Sequence, residues 1–222
     1  MLNRLHTAEQ RVALLREAHQ RHADDFWINH ALGCNLTELK QPGEAARFYT
    51  AAVALRPQSP GAHLNLGDSL ERIGRLDEAI AAYREAVRLK PDYANAHRLL
   101  GSALASQGKV DLSRASFDLA VAAYRKTIEA NQDHSAAHND LGTILCDRKQ
   151  DYDGAIAAFR EAIRIKPDRA IYRYNLGIAL RGKGLLEEAL DAYREAARLD
   201  PRDADAQCLP RRIRPLFYAA PY

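Results

Sequence analysis

A unit of 34 residues recurs along this chain and leaves little freedom over what it can fold into. The cleanest copy is residues 60–93, PGAHLNLGDSLERIGRLDEAIAAYREAVRLKPDY, and a Leu-Gly dipeptide marks the same point in five successive copies. The marker glycines Gly33, Gly67, Gly101, Gly142 and Gly177 are separated by steps of 34, 34, 41 and 35. A fixed period of this size means a solenoid, in which each unit buries its apolar face only against its neighbours.

Each copy reads as two helices. In the first full copy, residues 26–59, one helix carries Trp27, Leu32, Gly33 and Leu36, and the next carries Ala45, Tyr49, Ala52 and Leu55. Gly33 and Ala45 are small where the two helices should cross closely, and Tyr49 fills the wider gap beside them. Gln41-Pro42-Gly43 marks the turn between the helices, and Pro57 cannot continue the second one. The same positions return in residues 60–93, 94–134, 135–169 and 170–203.

Two copies depart from the pattern. In the third, Phe117 is followed seven residues later by a second aromatic, Tyr124, with no closing proline. Seven residues are almost two turns, so the insertion predicts a lengthened second helix, from about Ser113 to Ala130. The fourth copy has one extra residue in its internal turn, within Lys149–Gly154. Before the array, residues 1–25 hold a helix capped by Thr7 with Gln10 three residues on, the second half of a degenerate repeat. After it, residues 204–222 carry three prolines, which forbid a long helix and predict an irregular tail.

The period, the Leu-Gly pair, the downstream alanine and aromatic and the closing proline resemble the tetratricopeptide repeat. The resemblance covers about residues 26–203 and implies an all-α, right-handed superhelical solenoid of antiparallel helix pairs. Its concave wall would be lined by the first helix of each pair and would hold an extended peptide or a partner helix. Asp25-Phe26-Trp27-Ile28-Asn29-His30 and the run from Phe48 to Gly67 also resemble arrays attached to bacterial serine/threonine protein kinases. No kinase core accompanies them here: neither HRD nor DFG occurs in the chain.

By the geometry of that family, the groove-facing candidates are Trp27, His30, Asn65, Asp68, Arg72, Arg98, Asn139, Asp140, Tyr174, Asn175 and Arg181. Asn65, Asn139 and Asn175 draw attention because an amide side chain both donates and accepts, so a set of them can hold a peptide backbone whatever its sequence. They resemble the asparagine ladder of protein O-linked N-acetylglucosamine transferases. The carboxylate clamp of tetratricopeptide co-chaperones is not matched: His30, Cys34, Asn65, Asn95 and Leu99 stand where it needs Lys, Asn, Asn, Lys and Arg. With Glu38, Glu71 and Asp147 the groove leans acidic, which favours a modestly basic partner.

His63, His97 and His138 recur at one offset, but successive repeats lie about 10 Å apart while zinc takes ligands at about 2 Å. Packing is the better reading, and neither metal nor cofactor is expected. The three cysteines form no CxxC pair, and no nucleophile–base–orienter set is present, so no catalytic residue is assigned. Net charge is +3, from 32 basic and 29 acidic residues, too balanced for an electrostatic nucleic-acid binder. No apolar run reaches the roughly 20 residues that span a bilayer, and the N-terminus lacks a signal-peptide core. The expectation is a non-catalytic cytoplasmic scaffold that binds a protein or peptide, with no nucleic-acid or membrane partner. Two alternatives stand beside it: a recruiting or regulatory arm of a kinase or glycosyltransferase, and a structural element that self-assembles through its array ends.

Overall fold

The computed structural model describes residues 7–201, and among them are eleven α-helices and no strand. In chain order these are α1 (Ala8–Arg21), α2 (Phe26–Glu38), α3 (Pro42–Leu55), α4 (Pro60–Arg72), α5 (Leu76–Leu89) and α6 (Ala94–Ser106). There follow α7 (Val110–Ala130), α8 (Ser135–Lys149), α9 (Tyr152–Ile165), α10 (Ala170–Lys183) and α11 (Leu186–Leu199). The backbone divides into two compact units, Met1–Ala120 and Val121–Tyr222, and the division falls inside α7. The reading of residues 204–222 as an irregular tail lies outside the described residues.

In the first unit, Thr7 starts α1 by accepting from the Gln10 amide at 3.3 Å. Val12 and Leu15 of α1 then bury against Leu32 and Leu36 of α2 and Ala45 and Tyr49 of α3. Ser59 caps α4, accepting from the Ala62 amide, and Pro60 takes the first helical position, where its missing N–H costs nothing. Leu64 and Leu70 of α4, Ile80 and Tyr83 of α5 and Leu100 and Leu104 of α6 form the next core cluster.

The marker glycine and the downstream aromatic are one device. A β-carbon built on Gly33, Gly67, Gly142 or Gly177 would stand 2.5–2.8 Å from the ring of Tyr49, Tyr83, Phe159 or Tyr193 respectively. The ring lies against the bare backbone of the first helix, which lets the two helices approach closely. In the third repeat the partner is Phe117, and Ser113 takes the place of the small alanine. Its hydroxyl donates to the Gly101 carbonyl at 2.8 Å, so the substitution adds a buried hydrogen bond.

A second device ties each first helix to the loop before it. Four residues ahead of the marker glycine stand Asn29, His63, His97, His138 and Arg173. Each contacts the carbonyl six residues back: Ala23, Pro57, Pro91, Gln132 and Pro167, at 2.8–3.3 Å. The recurring histidines are therefore loop clamps. Each satisfies a carbonyl left open where the preceding helix ends.

α7 is 21 residues long and starts at Val110, three residues before the expected Ser113. Both of its aromatics are buried, Phe117 in the first unit and Tyr124 in the second, where the Tyr124 hydroxyl donates to Asp140 at 3.2 Å. The extra residue of the fourth repeat is absorbed where α8 ends: Gln150 takes the left-handed conformation (φ 53°), and Asp151 caps α9 by accepting from the Gly154 amide. The buried side chains of this unit include Ile156, Phe159, Tyr172, Leu180 and Tyr193.

Candidate interaction surface

The candidate groove residues sit on the first helices: Trp27 and His30 on α2, Asn65, Asp68 and Arg72 on α4, and Arg98 on α6 in the first unit. In the second unit Asn139 and Asp140 lie on α8, and Tyr174, Asn175 and Arg181 on α10. Trp27 is 63% exposed, a large apolar surface to leave in water, and Arg72 and Arg181 are also exposed; the other eight are half-buried.

Two of the asparagines make the same rung. Asn65 and Asn175 both stand two residues before their marker glycine, whereas Asn139 stands three before. The Asn65 amide lies 3.2 Å from His30 Nε2, and the Asn175 amide donates to Asn139 Oδ1 at 2.9 Å. Each rung joins one repeat to the repeat before it, from the position two before the glycine to the position three before. His30 and Asn139 are equivalent residues in this register.

Around the first rung is a linked cluster. His30 Nδ1 lies 3.7 Å from Cys34 Sγ, and the Tyr49 hydroxyl donates to the same sulfur at 3.4 Å. The hydrogen bond with His30 lowers the Cys34 pKa against the opposing effect of burial, and the thiol in turn raises that of His30. Burial, with the Cys34 contact adding to it, pushes the Tyr49 hydroxyl well above its ordinary range. Cys146, buried in the second unit, moves the other way, its thiol raised to about 11 chiefly by burial.

Four of the five acids counted from the sequence have partners within the fold, two of them cationic. Asp68 is paired with Arg72 at 2.8 Å and Glu38 with Arg11, while Glu71 accepts from the Tyr83 hydroxyl at 2.8 Å. Asp140 accepts from Tyr124 and from Asn139. Arg98 gives one nitrogen to Asn95 and keeps its buried Nε without a partner among the described residues. Burial raises the Tyr193 pKa to about 12 against the lowering effect of Arg181, and Tyr174 packs its ring 5.6 Å from that tyrosine.

Sequence reasoning missed a cleft of about 410 Å³ at the start of the first repeat. It is lined by Phe26, Trp27 and His30 of α2 and by the loop residues Arg56–Ser59. The Arg56 guanidinium lies over both rings, 4.4 Å from the Phe26 centroid and 5.0 Å from that of Trp27. The available signal was a break in self-similarity: where the first repeat has Phe26 and Trp27, the others have Pro60-Gly61, Ala94-Asn95, Ser135-Ala136 and Ala170-Ile171. No group of three or more potential ligands for a metal ion occurs among the described residues. No helix among them is long and apolar enough to cross a membrane.

Sequence models described as TPR or tetratricopeptide repeat match residues 72–108, 92–168 and 147–204, which together run without a gap over more than half of the chain. No curated protein matches it in sequence. Among solved structures, a thermophilic TPR protein of Thermus thermophilus is 21% identical, with a TM-score of 0.70 over 85% of this chain and 98% of that one. The Cut9–Hcn1 structure of the APC/C is 24% identical, TM-score 0.69, over 91% of this chain and 39% of the other. YrrB, described as a TPR protein with an unusual peptide-binding site, is 20% identical, TM-score 0.52, over 89% and 97%. At these identities the likeness is one of fold.

Proposed function

The chain is a tetratricopeptide-repeat protein, and from that premise we propose that it works as a non-catalytic protein-interaction scaffold. An extended segment or a helix of a partner docks against the first helices of the repeats. The observation that carries this reading is the repeated rung. Asn65 and Asn175 each commit one side-chain contact to the preceding repeat, which fixes the amide in place. Each still has a carbonyl oxygen and a second N–H to offer a peptide backbone. Donors and acceptors held in position before binding lose little freedom when they are used.

Neighbouring charges add selectivity. Arg72 and Arg181 stand exposed on the same helices as these amides, and Trp27 supplies the aromatic surface that often anchors an interface. YrrB, with the same fold, is described by its peptide-binding site. A recruiting arm attached to a kinase or glycosyltransferase would work through the same surface, with the catalysis done elsewhere.

The test is capture of partners by the intact chain and by an Asn65→Ala, Asn139→Ala, Asn175→Ala variant whose helicity matches the parent. A partner bound by the parent and lost by the variant is the expected result. Identical capture by both proteins would mean that the asparagines are repeat consensus without a binding role.

A further inference from the structure

The cleft at the start of the first repeat has a chemistry of its own. Its lining brings together two aromatic rings, the Arg56 side chain and His30, whose Nε2 makes the rung to Asn65. A guanidinium stacked on rings keeps its in-plane N–H groups free for an acceptor. Five arginines of this unit (Arg11, Arg16, Arg72, Arg75 and Arg88) have carboxylate partners, while among the described residues Arg56 has only the rings. Asp25, which precedes α2, accepts from the Ile28 amide as the cap of that helix. The N-terminus of α4, capped by the neutral Ser59, adds the positive end of a helix.

The repeats themselves show that this arrangement is not inherited packing. The equivalents of Trp27 are Gly61, Asn95, Ala136 and Ile171, and the residue before the loop proline, Arg56 in the first repeat, is Lys90, Lys166 and Asp200 in the other repeats that keep that proline. Aromatic pair and arginine occur together in the first repeat alone.

We propose that this cleft binds an acidic side chain flanked by apolar residues, from an internal stretch of a partner polypeptide. The carboxylate is held by the Arg56 guanidinium, and the neighbouring apolar side chain lies on Trp27. The inference rests on the scaffold reading and names the chemistry of one end of its surface. It also reverses the basic preference counted from the groove acids, most of which are already partnered within the fold.

Trp27 is the chain's single tryptophan, so its fluorescence reports on the cleft directly. The probe is a peptide of sequence Leu-Glu-Leu-Glu-Leu, acetylated and amidated, titrated beside its glutamine and lysine counterparts and beside the glutamine peptide with a free C-terminus. The glutamate peptide should shift Trp27 emission saturably, with the glutamine and lysine peptides weaker by about tenfold or more. Arg56→Gln should abolish that difference. The contrast between peptides on the unaltered protein stands even if the variant misfolds. Equal binding of the glutamine peptide, preference for the lysine peptide, or no saturable shift with any peptide overturns the proposal. So does tight binding of the glutamine peptide with the free C-terminus, which would assign the cleft to chain ends. If a neutral or basic peptide binds and Asn65→Ala weakens it, the scaffold reading survives and only the acidic preference falls.

Discussion

The Tyr83 ring occupies the space that a side chain on Gly67 would need, with a β-carbon there standing 2.5 Å from Cε1. Tyr83 has no exposed surface, and its hydroxyl is anchored by Glu71, so the ring cannot move aside without losing a hydrogen bond. Gly67→Ala should therefore destabilise the first unit by about 1–3 kcal/mol, the range for overpacking a core. Gly61→Ala, on the same helix with nothing within 4 Å of the added carbon, should be neutral or stabilising by about 0.5 kcal/mol. Urea denaturation of the two variants tests the pair. Equal effects would mean that the glycine–aromatic contact does not set the helix spacing.

The loop clamps predict a different loss. His97 is 3% exposed and contacts the Pro91 carbonyl at 2.9 Å. His97→Leu keeps apolar bulk but leaves that carbonyl unsatisfied, a cost of about 1–3 kcal/mol. Amide exchange of the α5–α6 loop should accelerate in the variant. A stable protein with unchanged exchange there would reduce the recurring histidine to a packing residue.

How much of this was legible in the sequence depends on whether a feature repeats. Gly67 and Tyr83 keep their spacing in all but one of the other copies, which is why the helix pairs could be read directly. The rung from His30 to Asn65 joins two different offsets in neighbouring repeats, so no column of identical residues betrays it. A charge count leaves out such pairings for a related reason: Glu38 is paired with Arg11, 27 positions away on the N-terminal helix. The break in self-similarity at Phe26-Trp27 marked the place of the cleft but not its partner Arg56, because the cleft forms where a helix start meets the loop that follows the next helix.

The rung itself can be weighed. Asn139→Ala, Asn175→Ala and the double variant form a cycle whose coupling should be about 0.5–1 kcal/mol, the scale of a half-buried neutral hydrogen bond. Thermal or chemical unfolding supplies the values. Strict additivity would show that the amides touch without supporting one another.

Cys34 and Cys146 should differ sharply toward alkylating reagents. The thiolate is the nucleophile, and the Cys34 pKa is lowered by His30, whereas that of Cys146 is raised to about 11 by burial. As pH rises, Cys34 should become reactive below the range of an ordinary thiol, and Cys146 only far above neutrality. His30→Ala removes the contact that favours the thiolate, so the Cys34 profile should move to higher pH. Peptide mapping after timed iodoacetamide treatment reads both sites in one sample. Equal rates at neutral pH would contradict the geometry of the cluster.

The central claim is that partners are held by the first helices of the repeats, and site-specific photocross-linking tests it most directly. A photoreactive residue would replace Arg72 or Arg181 on first helices, or Arg84 or Arg194 at exposed positions on second helices. The account predicts that a captured partner cross-links from Arg72 and Arg181 and not from Arg84 or Arg194. Cross-links from the second-helix positions alone would contradict it.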